Sequence, residues 1–310
     1  MFDLPLHTQN VMLIILGVLI LGTLSRFPIR KRLKTDSYDE LKKRTQSWWW
    51  MIALLFGAIL MGASCTIFFF GFISFLALKE FLSITPVRQE DRKVIFWLYL
   101  AIPFQYYWLH EGWYGMFIIF IPVYIFLFIP VRMILIGKTE GFIRSAGIMQ
   151  WAVMLTVFCI SHLAYLMVLP VKNEMAGSAG LILYLLILTQ GNDVAQFVWG
   201  KLLGKHKIVP KVSPGKTWEG FIGGVVTVTA LSAFLGPYLT PLTLKQSLLS
   251  GAIISLAGFF GDLIISAVKR DLHIKDTGNM IPGHGGLLDR LDSLIYTSPL
   301  FFHYLYYLHF

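Results

Sequence analysis

Residues 247–268 read SLLSGAIISLAGFFGDLIISAV, an apolar run whose one ionisable side chain is Asp262. A helix needs ~20 predominantly apolar residues to cross the hydrocarbon core of a bilayer, and this run is long enough to do so. Further apolar runs lie near residues 10–25, 48–62, 65–82, 94–109, 115–135, 148–169, 179–199, 220–237 and 293–310. The sequence therefore predicts an all-α, polytopic integral membrane protein of about ten transmembrane helices.

The composition agrees with a membrane protein. Of the 310 residues, 56% are hydrophobic and 14% are charged, and the mean hydropathy is +0.68. Soluble domains carry ~25% charged residues, so this chain has too little charged surface for a soluble globular enzyme. A disordered chain is excluded for the same reason. The two cysteines, Cys65 and Cys159, lie in apolar runs, which predicts neither a disulfide scaffold nor a cysteine metal site.

The distribution of positive charge predicts the orientation. If the ten helices alternate direction, one side of the membrane receives every Lys and Arg except Lys172 and Lys245. Cytoplasmic loops carry the excess of Lys and Arg, so both chain termini are expected outside the cytoplasm. The basic cytoplasmic rim also explains the net charge of +9. With no basic patch on a soluble module, nucleic acid is not an expected partner.

The first apolar run is expected to stay in the mature protein as a helix. A secretory signal carries its positive charges before the apolar stretch. Here the cations follow it, at Arg26, Arg30, Lys31, Arg32 and Lys34.

Polar residues are distributed differently in the two halves of the chain. Up to about residue 178 they lie mostly in connecting loops, and the segment 26–47 is interpreted as a solvated, partly helical loop. After residue 188 they enter the apolar runs. We therefore predict N-terminal transmembrane helices over 1–147 and a catalytic transmembrane region over 148–310.

The first polar loop, residues 190–220, has the composition of a phosphate-binding site. An ionised carboxylate such as Asp193 costs ~3 kcal/mol at the centre of a membrane helix, so it needs a cation, hydrogen-bond donors or water, unless it lies at the interface. Glycines allow close approach of the backbone to a ligand, and lysines neutralise phosphate oxygens. The candidate substrate-binding residues here are Asp193, Lys201, Lys205, Ser213, Lys216 and Thr217. A P-loop is excluded because Pro210 stands where its first glycine belongs.

The second polar loop, residues 261–292, contains closely spaced acids among cations. Asp289 and Asp292 are three apart, on one face of a predicted first helical turn, where carboxylates also favour the helix N-terminus. Such a pair repels unless a cation lies between its members, and Mg²⁺ prefers carboxylate, water and phosphate oxygens. Asp262 is a third candidate metal ligand. The other catalytic candidates are Lys269, Arg270 and His284, and the other substrate-binding candidates are Ser266, Lys275, Asp276, Gly285, Gly286 and Arg290.

Several alternatives at this second loop were weighed. Three roles are open for His284: a general base, a hydrogen-bond donor to phosphate, or a histidine whose hydrogen bonds go to the backbone. Zinc is not expected, because His273 and His284 have no thiol or third histidine near them in the sequence. The absence of a Gly-x-Ser-x-Gly motif argues against a serine hydrolase.

The two loops together resemble the phosphatidate cytidylyltransferase (CDP-diacylglycerol synthase) family. The signature stretch is Ser266-x-x-Lys269-Arg270-x4-Lys275-Asp276-x-Gly278-x2-Ile281-Pro282-x-His284-Gly285-Gly286-x2-Asp289-Arg290-x-Asp292, and the upstream stretch from Gly200 to Gly220 is also similar. The resemblance implies a multi-helix membrane enzyme, a homodimer, that converts CTP and phosphatidate to CDP-diacylglycerol and pyrophosphate. It implies that Asp262, Asp289 and Asp292 hold Mg²⁺, with a monovalent partner such as K⁺. It further implies a bacterial inner-membrane enzyme whose active site faces the cytoplasm.

Two departures from the family pattern suggest a divergent paralogue branch. Ile265 stands where members commonly have Glu, and Asp193 is followed by Val-Ala-Gln-Phe rather than Ser-Gly/Ala-Ala-Tyr. These departures leave four other classes of protein open: a CTP-dependent polyprenol kinase, a CDP-archaeol-type synthase, a transporter or scramblase of anionic lipid, and an inactive regulatory paralogue.

Overall fold

The protein is described by a computed structural model of residues 4–26 and 35–310, which form ten helices and no β-strand. The helices are α1 (Leu6–Leu24), α2 (Thr35–Leu60), α3 (Ala63–Ile84), α4 (Arg92–His110), α5 (Tyr114–Ile134), α6 (Phe142–Tyr165), α7 (Gly177–Leu203), α8 (Trp218–Leu239), α9 (Leu244–Asp271) and α10 (Leu288–His309). One π-helical segment interrupts α5 at Phe120–Ile125 and another interrupts α6 at Met154–Cys159. Each predicted apolar run lies on its own helix, so the all-α prediction is confirmed.

Seven of these helices are long and apolar enough to span a membrane, namely α1, α3, α5, α6, α7, α8 and α9. The prediction of a polytopic membrane protein is therefore confirmed, while the count of ten crossings and the outward termini stay predictions. Of the cations that follow the first run, Arg30, Lys31, Arg32 and Lys34 lie outside the described residues.

The segment 35–47 is helical and continuous with the apolar run after it, since α2 begins at Thr35. The chain then reverses at Gly62, whose φ of 98° is in the left-handed region that glycine adopts readily. Runs 48–62 and 65–82 are accordingly two helices, as the sequence predicted, rather than one bent helix.

The four C-terminal helices α7–α10 pack side by side in chain order, and α7 also contacts α9 and α10. Helix α6 packs on α3 and α4 from the N-terminal half and on α10 from the C-terminal bundle. The predicted boundary at residues 147 and 148 therefore falls inside a helix that contacts both halves, and the division into two regions stays a prediction.

Small residues bring α8, α9 and α10 close together. A Cβ atom on Gly251 of α9 would lie 2.2 Å from the hydroxyl of Ser232 on α8. One on Gly261 would lie 2.5 Å from the backbone oxygen of Asp292 on α10. Lipid supplies little hydrophobic force between helices, so small side chains at close contacts allow van der Waals packing of backbones. The contact at Gly261 also brings Asp262 next to Asp292.

Glu80 links the N-terminal half to the loop that joins α9 and α10, residues 272–287, which we call the signature loop. Glu80 lies on α3 and is 6% exposed. Its Oε1 accepts hydrogen bonds from the Thr277 hydroxyl at 2.6 Å and the Leu288 amide at 2.9 Å, and its Oε2 accepts one from the Leu287 amide at 2.9 Å. The first amides of a helix have no acceptor within that helix. A carboxylate on α3 therefore caps α10.

We expect Glu80→Ala to lower the free energy of unfolding by about 2 kcal/mol, because it leaves the buried amides of Leu287 and Leu288 without their acceptor and leaves the Thr277 hydroxyl with Asp289 alone. Glu80→Gln, which keeps one acceptor oxygen, is expected to be less destabilising. Thermal unfolding of the detergent-purified protein measures both changes.

The matched control is Lys79→Ala, an exposed neighbour on the same helix turn. It should unfold at the wild-type temperature. If Glu80→Ala also unfolds at that temperature, the cap contributes nothing measurable to stability.

Candidate active site

Three carboxylates from three helices form the centre of the site, and we call them the carboxylate cluster: Asp193 of α7, Asp262 of α9 and Asp292 of α10. Asp292 lies close enough to both of the others to interact with them electrostatically, and Asp193 also interacts with Asp262. The hydroxyl of Ser293 lies 3.1 Å from each carboxylate oxygen of Asp193, and the Ser293 amide donates to Asp292 at 2.7 Å. Like charges this close favour the binding of a cation.

Lys216 brings the first polar loop to the carboxylate cluster. Its Nζ lies 2.6 Å from Oδ2 of Asp262 and 3.0 Å from Oε1 of Gln196. The Ser266 hydroxyl, one helical turn from Asp262, donates to the other carboxylate oxygen at 3.3 Å. The structure thus joins four places that lie far apart in the sequence: Asp193, Lys216, the pair Asp262 and Ser266, and Asp292.

Asp289 occupies a separate, more fully paired position. Its Oδ1 lies 2.7 Å from Nζ of Lys269. Its Oδ2 accepts hydrogen bonds from the Thr277 amide at 2.8 Å, the Thr277 hydroxyl at 3.0 Å and the Gly286 amide at 3.1 Å. Asp289 therefore orders the signature loop, in addition to lying one turn from Asp292.

Three of the predicted substrate residues have contacts elsewhere. Nζ of Lys201 lies 5.9 Å from the centre of the Phe197 ring, and the Lys205 amide donates to Glu219. Both side chains are exposed. Thr217 is buried and caps α8 by accepting a hydrogen bond from the Gly220 amide at 3.1 Å. These contacts do not involve the carboxylate cluster.

Two more predicted residues, Arg270 and Ser213, lie near each other. Arg270 donates a hydrogen bond to the backbone oxygen of Val212, the residue before the half-buried Ser213. Five predicted residues line a cavity of about 830 Å³: Lys275, Asp276, His284, Gly285 and Arg290. Arg290 also interacts electrostatically with Asp292 and Asp193, so this cavity adjoins the carboxylate cluster.

His284 lies in the signature loop with its ring half-buried. Burial, followed by the charges of Arg290 and Arg44, lowers the pKa of His284, so the ring is neutral at pH 7. Its Nδ1 has no hydrogen-bond partner among the described residues, and neither has Nε of Arg290. Both atoms remain for a ligand to satisfy.

Within residues 4–26 and 35–310, no three His, Cys, Asp or Glu side chains converge as a preformed metal site. Lys216 and Lys269 are instead paired with two of the predicted ligands, Asp262 and Asp289. The donor set nonetheless fits Mg²⁺, because the three interacting carboxylates offer only oxygen ligands, and within the described part of the chain Lys216 is the one lysine bound directly to them.

Sequence reasoning missed several residues that support the site. Glu80 interrupts the apolar run 65–82, and that interruption was the available signal. Gln196 was noted only as a departure from the family pattern, although it accepts a hydrogen bond from Lys216. Nothing in the local sequence distinguished Thr277 or Ser293.

Comparison with known proteins identifies relatives along most of the chain. A model of the cytidylyltransferase family matches residues 42–308. The chain is 43% identical over 292 residues to the Escherichia coli (strain K12) protein named uncharacterized protein YnbB. The matched region covers 94% of this chain and 96% of that protein.

Two relatives carry the name phosphatidate cytidylyltransferase. The one from Staphylococcus haemolyticus (strain JCSC1435) is 31% identical over 247 residues, which is 78% of this chain and 90% of that protein. The one from Mycobacterium leprae (strain TN) is 43% identical over 117 residues, 38% of each chain. These matches confirm the resemblance read from the signature, and the chain belongs to the cytidylyltransferase family of nucleotidyltransferases.

Proposed function

We propose that the protein transfers the cytidylyl group of CTP to phosphatidate, giving CDP-diacylglycerol and pyrophosphate for phospholipid synthesis. An oxygen of the lipid phosphate forms a bond to the α-phosphorus of CTP. The bond from that phosphorus to the oxygen bridging to the β-phosphorus breaks, and pyrophosphate leaves with the electron pair. The names of the Staphylococcus and Mycobacterium relatives support this choice of substrates.

The observation that carries the proposal is that cations lie directly beside the carboxylate cluster and the neighbouring Asp289. Lys216 contacts Asp262 at 2.6 Å, Lys269 contacts Asp289 at 2.7 Å, and Arg290 acts on Asp292. Two polyanions such as CTP and a lipid phosphate repel each other, so their reaction requires positive charge at the place where they meet. Lys216, Lys269 and Arg290, which now interact with acids, could each bind a phosphate oxygen in place of a carboxylate oxygen.

The reaction as proposed needs no strong general base. The second pKa of a phosphate monoester is ~6, so the lipid phosphate is already an anionic nucleophile near neutral pH. Lys216, Lys269 and Arg290 would orient the two phosphates for in-line attack. Neutral His284 would donate or accept a hydrogen bond at a phosphate without changing charge.

Asp262 and Asp292 would hold Mg²⁺, with Asp289 as the third acid of the proposed set. When bound there, the ion neutralises phosphate oxygens and stabilises the departing pyrophosphate. Asp193, half-buried beside both acids, adds negative charge that a second, monovalent cation such as K⁺ would balance. No residue has to gain or lose a proton in this reaction.

The function is tested by incubating purified protein with CTP, Mg²⁺ and a panel of lipid phosphates, and identifying the product by mass. CTP labelled at the α-phosphorus is expected to label the lipid product, and CTP labelled at the γ-phosphorus is expected to label pyrophosphate. Label from the γ-position in the lipid would identify a kinase instead. Absence of CTP turnover with every lipid would favour the transporter or the inactive paralogue.

We expect Asp292→Asn to lower cytidylyl transfer at least ~100-fold, because it removes one of the proposed metal ligands. A ligand that binds only the folded state raises the unfolding temperature. Mg²⁺ should therefore raise the unfolding temperature of the wild type and have little effect on Asp292→Asn.

The control for that experiment is Asp271→Asn, an exposed acid at the last residue of α9. It is expected to behave as the wild type does. Retained activity and an unchanged Mg²⁺ response in Asp292→Asn would remove this residue from the mechanism.

We propose that the site faces the cytoplasm, since the charge distribution places both polar loops there. In a variant lacking Cys65 and Cys159, a cysteine replacing Lys172 should react with an impermeant maleimide on intact cells. A cysteine replacing Lys211 should react only after permeabilisation. Both lysines are exposed, and the opposite labelling pattern would place the site outside.

A further inference from the structure

The cavity of about 830 Å³ beside the carboxylate cluster has a wall that comes from the N-terminal half of the chain. This wall is the start of α2, residues 40–48, which we call the α2 basic segment. It contributes Lys43, Arg44 and Trp48 to the cavity, while the signature loop contributes the opposite wall. The sequence predicted a solvated, partly helical loop over 26–47 and no part in a binding site.

The α2 basic segment is bound firmly to the signature loop. Nε of Arg44 donates to the backbone oxygen of Gly283 at 3.1 Å, and the Ser47 hydroxyl donates to that of Pro282 at 2.6 Å. A Cβ atom on Gly283 would lie 3.0 Å from the Arg44 amide nitrogen. The ring of Trp48 meets that of His284 edge-on, with centroids 6.1 Å apart. The two walls of the cavity are therefore in direct contact and hold each other in place.

The charge of the cavity suits a polyanion. Glu40 is neutralised by its ion pair with Arg44. The remaining charged side chains of the lining are Lys43, Lys275 and Arg290 against Asp276. Unpartnered Nδ1 of His284 and Nε of Arg290 add two atoms that need a ligand. Phosphate groups satisfy such cations and donors through charge-assisted hydrogen bonds.

The size and lining favour the nucleotide over the lipid. Pockets for small molecules typically enclose ~300–1,000 Å³, which includes this cavity. Most of the residues that line it are charged or polar, and the apolar ones are Leu41, Trp48, Ile281 and Pro282, so an acyl chain there would lie largely beside charged and polar side chains. Trp48 supplies an aromatic surface on which a base can stack.

The cavity also reaches the proposed reaction centre. Arg290 lines it and acts electrostatically on Asp292 and Asp193. Gly285 lines it as well, and a Cβ atom there would lie 3.1 Å from Oδ2 of Asp289. A triphosphate in the cavity thus has its phosphates next to the acids that would hold Mg²⁺.

We propose that this cavity binds the nucleoside triphosphate, with Lys43 of the α2 basic segment neutralising a phosphate and Trp48 contacting the base. The inference rests on the proposed function and adds to it a nucleotide site built from both halves of the chain. Lys43 and Trp48 would act on nucleotide binding, while the lipid phosphate approaches the carboxylate cluster from outside the cavity.

The test compares Lys43→Ala with Lys42→Ala, an exposed neighbour that does not line the cavity. Equilibrium dialysis with labelled CTP and Mg²⁺ measures nucleotide binding to the full-length purified protein, and steady-state kinetics gives separate KM values for CTP and phosphatidate. Lys43→Ala should raise the Kd and KM for CTP about fivefold, which corresponds to one exposed charge pair. Its KM for phosphatidate should stay within about twofold, as should every constant of Lys42→Ala.

A second pair tests the aromatic wall. Trp48→Ala should weaken CTP binding about tenfold, the range for one stacked base, while Trp48→Phe should restore most of it. The control is Trp50→Ala, since Trp50 is 72% exposed and does not line the cavity.

The outcomes separate this inference from the proposed function. If the wild type turns over CTP but the Lys43 and Trp48 variants bind it as the wild type does, the cavity assignment is wrong and the function stands. If these variants raise the KM for phosphatidate alone, the cavity holds the lipid headgroup. If labelled CTP does not bind the wild type at all, the cavity assignment is overturned together with the function.

Discussion

Mutual repulsion among Asp193, Asp262 and Asp292, held on three different helices, is the constraint to which the rest of the site responds. Two unit charges ~4 Å apart near a protein surface interact by about 4 kcal/mol, so a cluster of acids needs neutralising partners. Lys216 supplies one by contacting Asp262, and the Ser293 hydroxyl donates to Asp193. A site with a surplus of negative charge is suited to a metal ion that arrives with its phosphate ligand.

The N-terminal half contributes to this chemistry through two contacts. Glu80 caps α10, the helix that carries Asp289 and Asp292, and it shares the Thr277 hydroxyl with Asp289. The α2 basic segment holds the same loop through Arg44 and Ser47. The signature loop is therefore held by Asp289 and also by two helices that carry none of the family's signature residues.

The departures from the family pattern have different consequences in the structure. Ile265 is buried in the core, 1% exposed, and packs there as an apolar side chain. Gln196 faces the site and accepts a hydrogen bond from Lys216 at 3.0 Å. Of the two, Gln196 is therefore the one in position to alter substrate handling, because it shares Lys216 with Asp262.

The sequence by itself determined the helical class, the membrane character and the family. Apolar runs of bilayer length have few alternatives in structure, and a spaced signature such as Ser266 to Asp292 is specific. Only the tertiary structure decided which charges meet, because contacts between residues as distant as Glu80 and Leu288, or Lys216 and Asp262, depend on how helices pack. It brought Asp193 into the carboxylate cluster, paired Asp289 with Lys269 and made residues 40–48 a cavity wall. Helix periodicity fixes which face of one helix is apolar, whereas partners across helices follow from close contacts such as the one at Gly261, which no local pattern encodes.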